Sequence, residues 1–273
     1  MYKIIHQSLL ENNKIEKKLK LKYSLIIPAA GKGSRLGYNR AKILYPICGF
    51  PILFYVLKPF LSYVDEIIII INPKDQNEIQ RELDHLNLNL KIKFSFQAEP
   101  LGMAHAINCA EDNISNSNLI VIWGDQVGYT SNTIRCLIQL FETNLGVSMC
   151  LPTKIVEDPY INIIRNNDQE IVEVQQKRES NNLPLLGESD GGLFIFDKKI
   201  LLNIIKKELE KARFIGSETG EFNLLPLFPE FEKEGTVLTM QLSDINETIG
   251  INSLGDVEIA ERKFMVENRN EKK

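Results

Sequence analysis

LIIPAAGKGSRLGYNRAK, from Leu25 to Lys42, carries an apolar strand into a cationic, glycine-bearing loop. Leu25, Ile26 and Ile27 form the short apolar run expected of a strand buried in a parallel sheet. Pro28, Ala29 and Ala30 end it. Gly31 and Gly33 are expected to let the backbone turn tightly and aim several N–H groups at one anion. Lys32, Arg35 and Lys42 add positive charge, and three cations on such a loop suit a triphosphate. A glycine turn after a first strand also occurs in α/β proteins that bind no phosphate. Two familiar phosphate motifs are excluded. Lys32 precedes Gly33 rather than Ser or Thr, so there is no P-loop, and the third glycine of the dinucleotide fingerprint would fall at Leu36.

A chain of 273 residues holds one large α/β domain or two small ones and is ample for a sizeable core. A formal charge of −4 and an isoelectric point near 5.6 argue against a surface for nucleic acid or an anionic membrane. Cys48, Cys109, Cys136 and Cys150 form no CxxC pair, which fits free thiols in a reducing cytoplasm better than disulfides or a zinc site. His6, His85 and His105 show no ligand spacing. The N-terminus mixes Lys and Glu with Leu and Ile, unlike a signal peptide or membrane span.

Residues 1–20 read as an N-terminal extension with partly helical spacing (Ile5, Leu9, Leu10, Ile15, Leu19), 21–268 as one domain and 269–273 as a charged tail. Strands are predicted near 24–28, 66–71, 91–96 and 119–123. Helices are predicted near 51–62, 75–86, 103–112 and 131–143. This alternation predicts an α/β fold, a mostly parallel central sheet covered on both faces in three α/β/α layers. Val147–Thr153, Tyr160–Ile164, Glu170–Gln176, Gly191–Phe196 and Thr236–Gln241 read as further strands. Lys198–Ala212, a stretch from about Glu221, and Gly255–Val266 read as helices. No proline- or glycine-rich linker separates the halves, so they read as two lobes with a cleft at the carboxyl ends of the strands.

Gly31-x-Gly33-Ser34-Arg35, followed by Lys42, resembles the signature loop of the sugar-1-phosphate nucleotidyltransferases, most of all the uridylyltransferase half of the bifunctional bacterial enzyme that makes UDP-N-acetylglucosamine. QAEPLGMAHAI (Gln97 to Ile107) is similar to the family's uracil-binding segment and IWGDQ (Ile122 to Gln126) to its metal-binding strand end. ETGEF (Glu218 to Phe222) and ETIGINSLGDVEIAE (Glu247 to Glu261) follow in the family's order. The resemblance implies a Rossmann-like nucleotidyltransferase fold, nucleotide lobe first and acceptor lobe second. It implies Mg²⁺-dependent transfer from UTP to a sugar 1-phosphate, giving a UDP-sugar and pyrophosphate in the cytoplasm. The oligomeric state is not legible.

On matching positions, the resemblance makes Arg35 and Lys42 catalytic, Arg35 holding the leaving β- and γ-phosphates and Lys42 bridging the α-phosphate and the incoming phosphate. Ala29, Ala30, Gly31, Gly33, Ser34, Gln97, Gly102 and Asp125 would bind the nucleotide. Gln97 would read uracil, Gly102 would let the backbone approach the ring, and the main chain at Ala29 or Ala30 would meet its other face. Asp125 and Asn252 would hold Mg²⁺, although an Asp after a strand is also a common turn or cap residue and Asn252 could cap the last helix. The nucleophile is already anionic, so positioning and charge neutralisation suffice without a general base. Tyr160, Gln176, Asp190 and Gly192 would bind the acceptor. Met103 and His105 read as packing, and Lys32 stays open.

The acceptor residues depart from the family. Tyr-Gly-Arg becomes Tyr160, Ile161 and Asn162, the sugar-binding glutamate falls at Gln176, and Asn-Thr-Gly becomes Asp190, Gly191 and Gly192. Met103 replaces the loop threonine and Ala41 the proline before Lys42. N-acetylglucosamine 1-phosphate is therefore not the expected acceptor. The alternatives are a non-sugar phosphorylated acceptor, such as an aminoalcohol or polyol phosphate, and a non-catalytic nucleotide- or sugar-binding protein of the same fold. No hexapeptide repeat occurs, so no acetyltransferase activity is expected.

Overall fold

The computed structural model describes residues 3–11, 21–88, 91–179 and 183–270, the side chains of 267–270 excepted. Its first half runs β1 (Ile4–His6), α1 (Gln7–Glu11), β2 (Tyr23–Pro28), β3 (Pro46–Ile47), β4 (Phe50–Pro51), α2 (Ile52–Leu57), β5 (Glu66–Ile71), α3 (Gln76–Leu86), β6 (Lys91–Phe96), α4 (Met103–Cys109), β7 (Asn118–Ile122) and α5 (Ser131–Thr143). The second half runs β8 (Val147–Glu157), β9 (Ile161–Arg165), β10 (Ile171–Gln176), β11 (Leu186–Asp190), β12 (Leu193–Asp197), α6 (Lys198–Glu210), α7 (Phe228–Glu234), β13 (Thr236–Gln241) and α8 (Leu254–Asn270).

Strand side chains alternate between the two faces of a sheet, and this sheet buries both. Leu25, Ile27, Ile67, Ile69 and Ile71 pack into one core with residues of α2, α5 and α8. Ile26, Ile68 and Ile70 pack into a second with residues of α4, α6 and α7. Helices thus cover both faces, as the alternation predicts.

The 11-stranded sheet is parallel through β6-β5-β2-β7. From β2 the chain builds outward to β5 and β6 on one side and reaches β7 on the other, so the loops leaving β2 and β7 diverge and open a crevice between them. Antiparallel pairs enter in the second half. β12 lies between β7 and β8, and the long β8 also pairs with β11 and, in parallel, with β13. β1 continues that edge with Ile4 opposite Thr239, and Leu10 of α1 joins the first core. Ile15 and Leu19 of the predicted N-terminal pattern lie outside the described residues.

Two elements differ from the sequence reading. No helix starts at Glu221; a 3₁₀ turn covers Leu225–Leu227 and α7 begins at Phe228. The backbone of Phe222 is engaged elsewhere, its N–H donating to Leu101 O (2.8 Å) and its carbonyl accepting from Ala104 N (3.1 Å). β11 is a strand that its polar residues do not announce, formed by pairing with β8 and β9. Among the described residues, no helix is long and apolar enough to cross a membrane.

Candidate active site

The loop after β2 uses its groups unequally. Ala29 N donates to Ile70 O (2.7 Å), so this N–H belongs to the sheet and is not free to meet a base. Ala30 N and Gly31 N take no backbone acceptor among the described residues. Neither Gly31 nor Gly33 has a positive φ; the left-handed residue is Gly37 (φ 65), after the 3₁₀ turn Ser34–Leu36. Gly33 packs beneath Tyr38, and with Ser34 and Lys32 it lies off the cleft wall. Arg35 stands exposed on that wall with no ion pair to any described residue. Lys42 N donates to Gly31 O (3.2 Å), folding the chain back on the start of the loop.

β7 exits through Trp123, Gly124 and Asp125. Gly124 N donates to Pro28 O (3.2 Å), and a Cβ at this position would stand 2.7 Å from that oxygen. Glycine is what lets the two strand exits cross side by side. Val127 N then donates to Ile249 O (2.9 Å) and Ile251 N to Asp125 O (3.0 Å), which delivers Asn252 next to Asp125. Asn252 is not the helix cap. Ser253 and Asp256 form a reciprocal capping pair, Ser253 N donating to Asp256 Oδ2 (2.7 Å) and Asp256 N to Ser253 Oγ (3.3 Å). The Asn252 side chain turns to the cleft, where Lys42 Nζ donates to Asn252 Oδ1 (2.9 Å) and Asp125 Oδ2 (2.7 Å).

Two adjacent oxygens meeting on one cation are a hard donor pair. No group of three or more His, Cys, Asp or Glu gathers as a metal centre among the described residues. A divalent ion here would therefore draw its other ligands from a bound phosphate, as Mg²⁺ commonly does.

Of the expected site residues, all but Gly33 and Ser34 line one continuous cleft of about 690 Å³. Gly102 (φ 101) opens α4, and its α-carbon lies so close to the Phe222 backbone that any side chain would collide. Gln97, 6% exposed, donates through Nε2 to Gly102 O (3.0 Å) and stands 3.0 Å from His105 Nδ1.

In the second half of the chain, Arg178 Nε donates to Gln176 Oε1 (3.3 Å), leaving the Gln176 amide nitrogen to donate, and the Arg178 guanidinium also holds Glu221 (2.8 Å) and Asn223. Asp190 Oδ2 accepts from Gly192 N (2.8 Å). Burial pushes the Asp190 carboxyl above its ordinary range, against that hydrogen bond and the nearby charge of Lys154. Burial likewise pushes the Lys154 ammonium down, opposed by Asp190. Lys154 Nζ donates to Thr248 Oγ1, and Tyr129 OH to Gly191 O (2.7 Å), which fixes the turn below Asp190.

The family model of the nucleotidyl transferases matches residues 24–223. The chain belongs to the nucleotidyl transferase family. It is 26% identical over 250 residues to the bifunctional protein GlmU of Bacillus cytotoxicus, covering 89% of this chain and 52% of that protein. It is 29% identical over 234 residues to the bifunctional protein GlmU of Streptococcus uberis, covering 83% and 48%. The chain thus spans about half the length of these relatives. Two solved structures share the fold. A Bacillus anthracis protein named as a glucose-1-phosphate thymidylyltransferase aligns with a TM-score of 0.70 at 22% identity, over 88% of this chain and 95% of that one. The 4-diphosphocytidyl-2C-methyl-D-erythritol synthase of Anaerococcus prevotii gives 0.63 at 16%, over 90% and 99%.

This nucleotidyl transferase also lines its cleft with residues that the sequence reading passed over: Trp123, Lys154, Arg178 and Thr248. Lys154 carried a readable signal, since strand alternation puts it on the same face as the buried Cys150 and Pro152. Thr248 lies within the Glu247 to Glu261 segment, which resembles the family, while Arg178 carried no signal, because only tertiary contacts bring it to the cleft.

Proposed function

We propose that this nucleotidyl transferase joins UTP to a sugar 1-phosphate, releasing pyrophosphate, with Mg²⁺ held by Asp125 and Asn252. The observation that carries the reading is the bridge from Lys42 Nζ to Asp125 Oδ2 and Asn252 Oδ1, in the cleft that Ala30 and Gly31 also line. The bifunctional relatives and the sugar-phosphate name of one structural neighbour support the substrate class.

The chain's own residues do most of the work. Loop N–H groups and Arg35 would hold the triphosphate, with Arg35 on the leaving β- and γ-phosphates. Lys42 would turn from its resting partners to the α-phosphate and the incoming phosphate, neutralising charge as the new P–O bond forms and the old one breaks. Asp125 and Asn252 would orient the α-phosphate through the metal, which when bound adds positive charge at that phosphate. No side chain needs to remove a proton, because the attacking phosphate oxygen is already anionic.

A second reading, transfer to an aminoalcohol or polyol phosphate, draws on Ile161 standing where the family carries its sugar-approaching glycine. UTP, dTTP, CTP and GTP tested against sugar 1-phosphates and non-sugar phosphates separate the two. UTP with a sugar 1-phosphate should turn over best. A clear preference for a non-sugar phosphate would move the assignment to the second reading.

A further inference from the structure

Gln97 follows β6 directly, its backbone N–H donating to Ile71 O (2.9 Å), and its side chain is buried near the start of α4. A terminal amide can be built either way round, so its chemistry must be argued from its neighbours. Gly102 O can only accept, so the group 3.0 Å from it must be the NH₂ of Gln97. That same nitrogen lies 3.0 Å from His105 Nδ1. Both amide hydrogens are then spent if Nδ1 carries a lone pair. Cys109 Sγ lies 3.8 Å from the same Nδ1 and is compatible with either tautomer. An NH₂ can only donate, so the Nδ1 that faces it is the acceptor and the ring proton sits on Nε2.

The amide oxygen is what Gln97 keeps for a ligand. A lone acceptor pairs with a ring N–H, such as N3–H of uracil or thymine. It repels the bare N3 of cytosine, which needs a donor. Gly102 by itself would hold only one amide hydrogen, and the second could swing to the cleft and satisfy cytosine. His105 removes that second donor.

We infer that His105 is a positioning residue for base selection, locking Gln97 as a pure acceptor so that the cleft takes nucleotides of imide bases, uracil or thymine, over cytosine. The inference rests on the uridylyl reading and adds to it the residue that enforces it. It also states what Gln97 cannot do, which is tell UTP from dTTP.

The test is kcat/KM for UTP, dTTP and CTP in the wild type, His105→Ala and His105→Asn, with melting temperatures measured alongside. The asparagine oxygen stands near the position of Nδ1 and accepts as Nδ1 does. His105→Ala should lower the UTP-to-CTP ratio by about tenfold or more, the scale of one hydrogen bond, and His105→Asn should restore most of it. An unchanged ratio in a folded His105→Ala protein overturns the role of His105 and leaves the uridylyl reading standing. A wild type that prefers CTP overturns that reading as well. A measurement on the wild type alone keeps the proposal exposed if the variants fail to fold. Imidazole ¹⁵N shifts should show His105 with the proton on Nε2, and a proton on Nδ1 overturns the proposal.

Discussion

Lys42 Nζ lies 2.7 Å from Asp125 Oδ2, although 83 residues separate the two in sequence. Lys42 comes from the end of the loop after β2, Asp125 from the exit of β7, and Asn252, reaching the same ammonium at 2.9 Å, from the far end of the chain. Three distant segments therefore place a cation, a carboxylate and an amide oxygen within one hydrogen-bonding shell.

Arg35 and Lys42 should act mostly in the transition state, where charge grows on the attacking and leaving oxygens. Arg35→Ala and Lys42→Ala are each expected to lower kcat/KM by roughly 10²-fold or more, the loss seen when one preorganised electrostatic partner is removed. Steady-state kinetics decide it. A raised KM for UTP with kcat unchanged would mean that they bind ground state and transition state alike.

The acceptor end should read hydroxyl groups, because it offers donors from Lys154 and the Gln176 amide and an acceptor from Asp190. A hydroxyl both donates and accepts. Lys154→Met is expected to raise KM for the acceptor by about tenfold, since it strands Asp190 without a compensating charge, and to leave KM for UTP nearly unchanged. Across a series of sugar 1-phosphates, N-acetylglucosamine 1-phosphate should not be the best substrate. If it is, the altered residues are neutral to acceptor choice.

Glu66, 2% exposed on β5, gives a prediction about acid stability. Burial alone would raise its pKa, but Ser24 Oγ (2.6 Å), Ser115 N (2.6 Å) and Lys93 (3.0 Å) outweigh it and hold the carboxyl at about 2. A depressed folded pKa stabilises the protein above the unfolded value of 4.5, and the gain is lost as pH falls from there through about 2. The contribution is on the order of 3 kcal/mol. Denaturant titrations should find Glu66→Gln less stable at neutral pH and less sensitive to pH across that window. Parallel curves for the two proteins would place the acid sensitivity elsewhere.

The first lobe is legible from sequence because its signals are local. The run Ile67–Ile71 is short and wholly β-branched, which reads as a doubly buried strand, and the loop from Gly31 to Lys42 is contiguous. The same holds for Asp125, which follows an apolar strand directly. Legibility fails where tertiary pairing overrides local preference, as at polar β11 and at Phe222, whose backbone is held by α4 instead of starting a helix. It fails also for roles that depend on orientation. His105 reads as packing until Gln97 is seen to need a second acceptor, and the sharp turn expected at Gly31 and Gly33 is made at Gly37.

Pyrophosphate release from UTP, followed with Mg²⁺ and a panel of sugar 1-phosphates and other phosphorylated acceptors in wild-type and Asp125→Ala proteins, puts the metal-assisted transfer to the test. Asp125 sits at a strand exit with its side chain 21% exposed, so the variant should melt close to the wild type. The wild type should release pyrophosphate only with both acceptor and metal present, and Asp125→Ala should release none above background. Equal rates in the two proteins, or no release by the wild type with any phosphorylated acceptor, would contradict it.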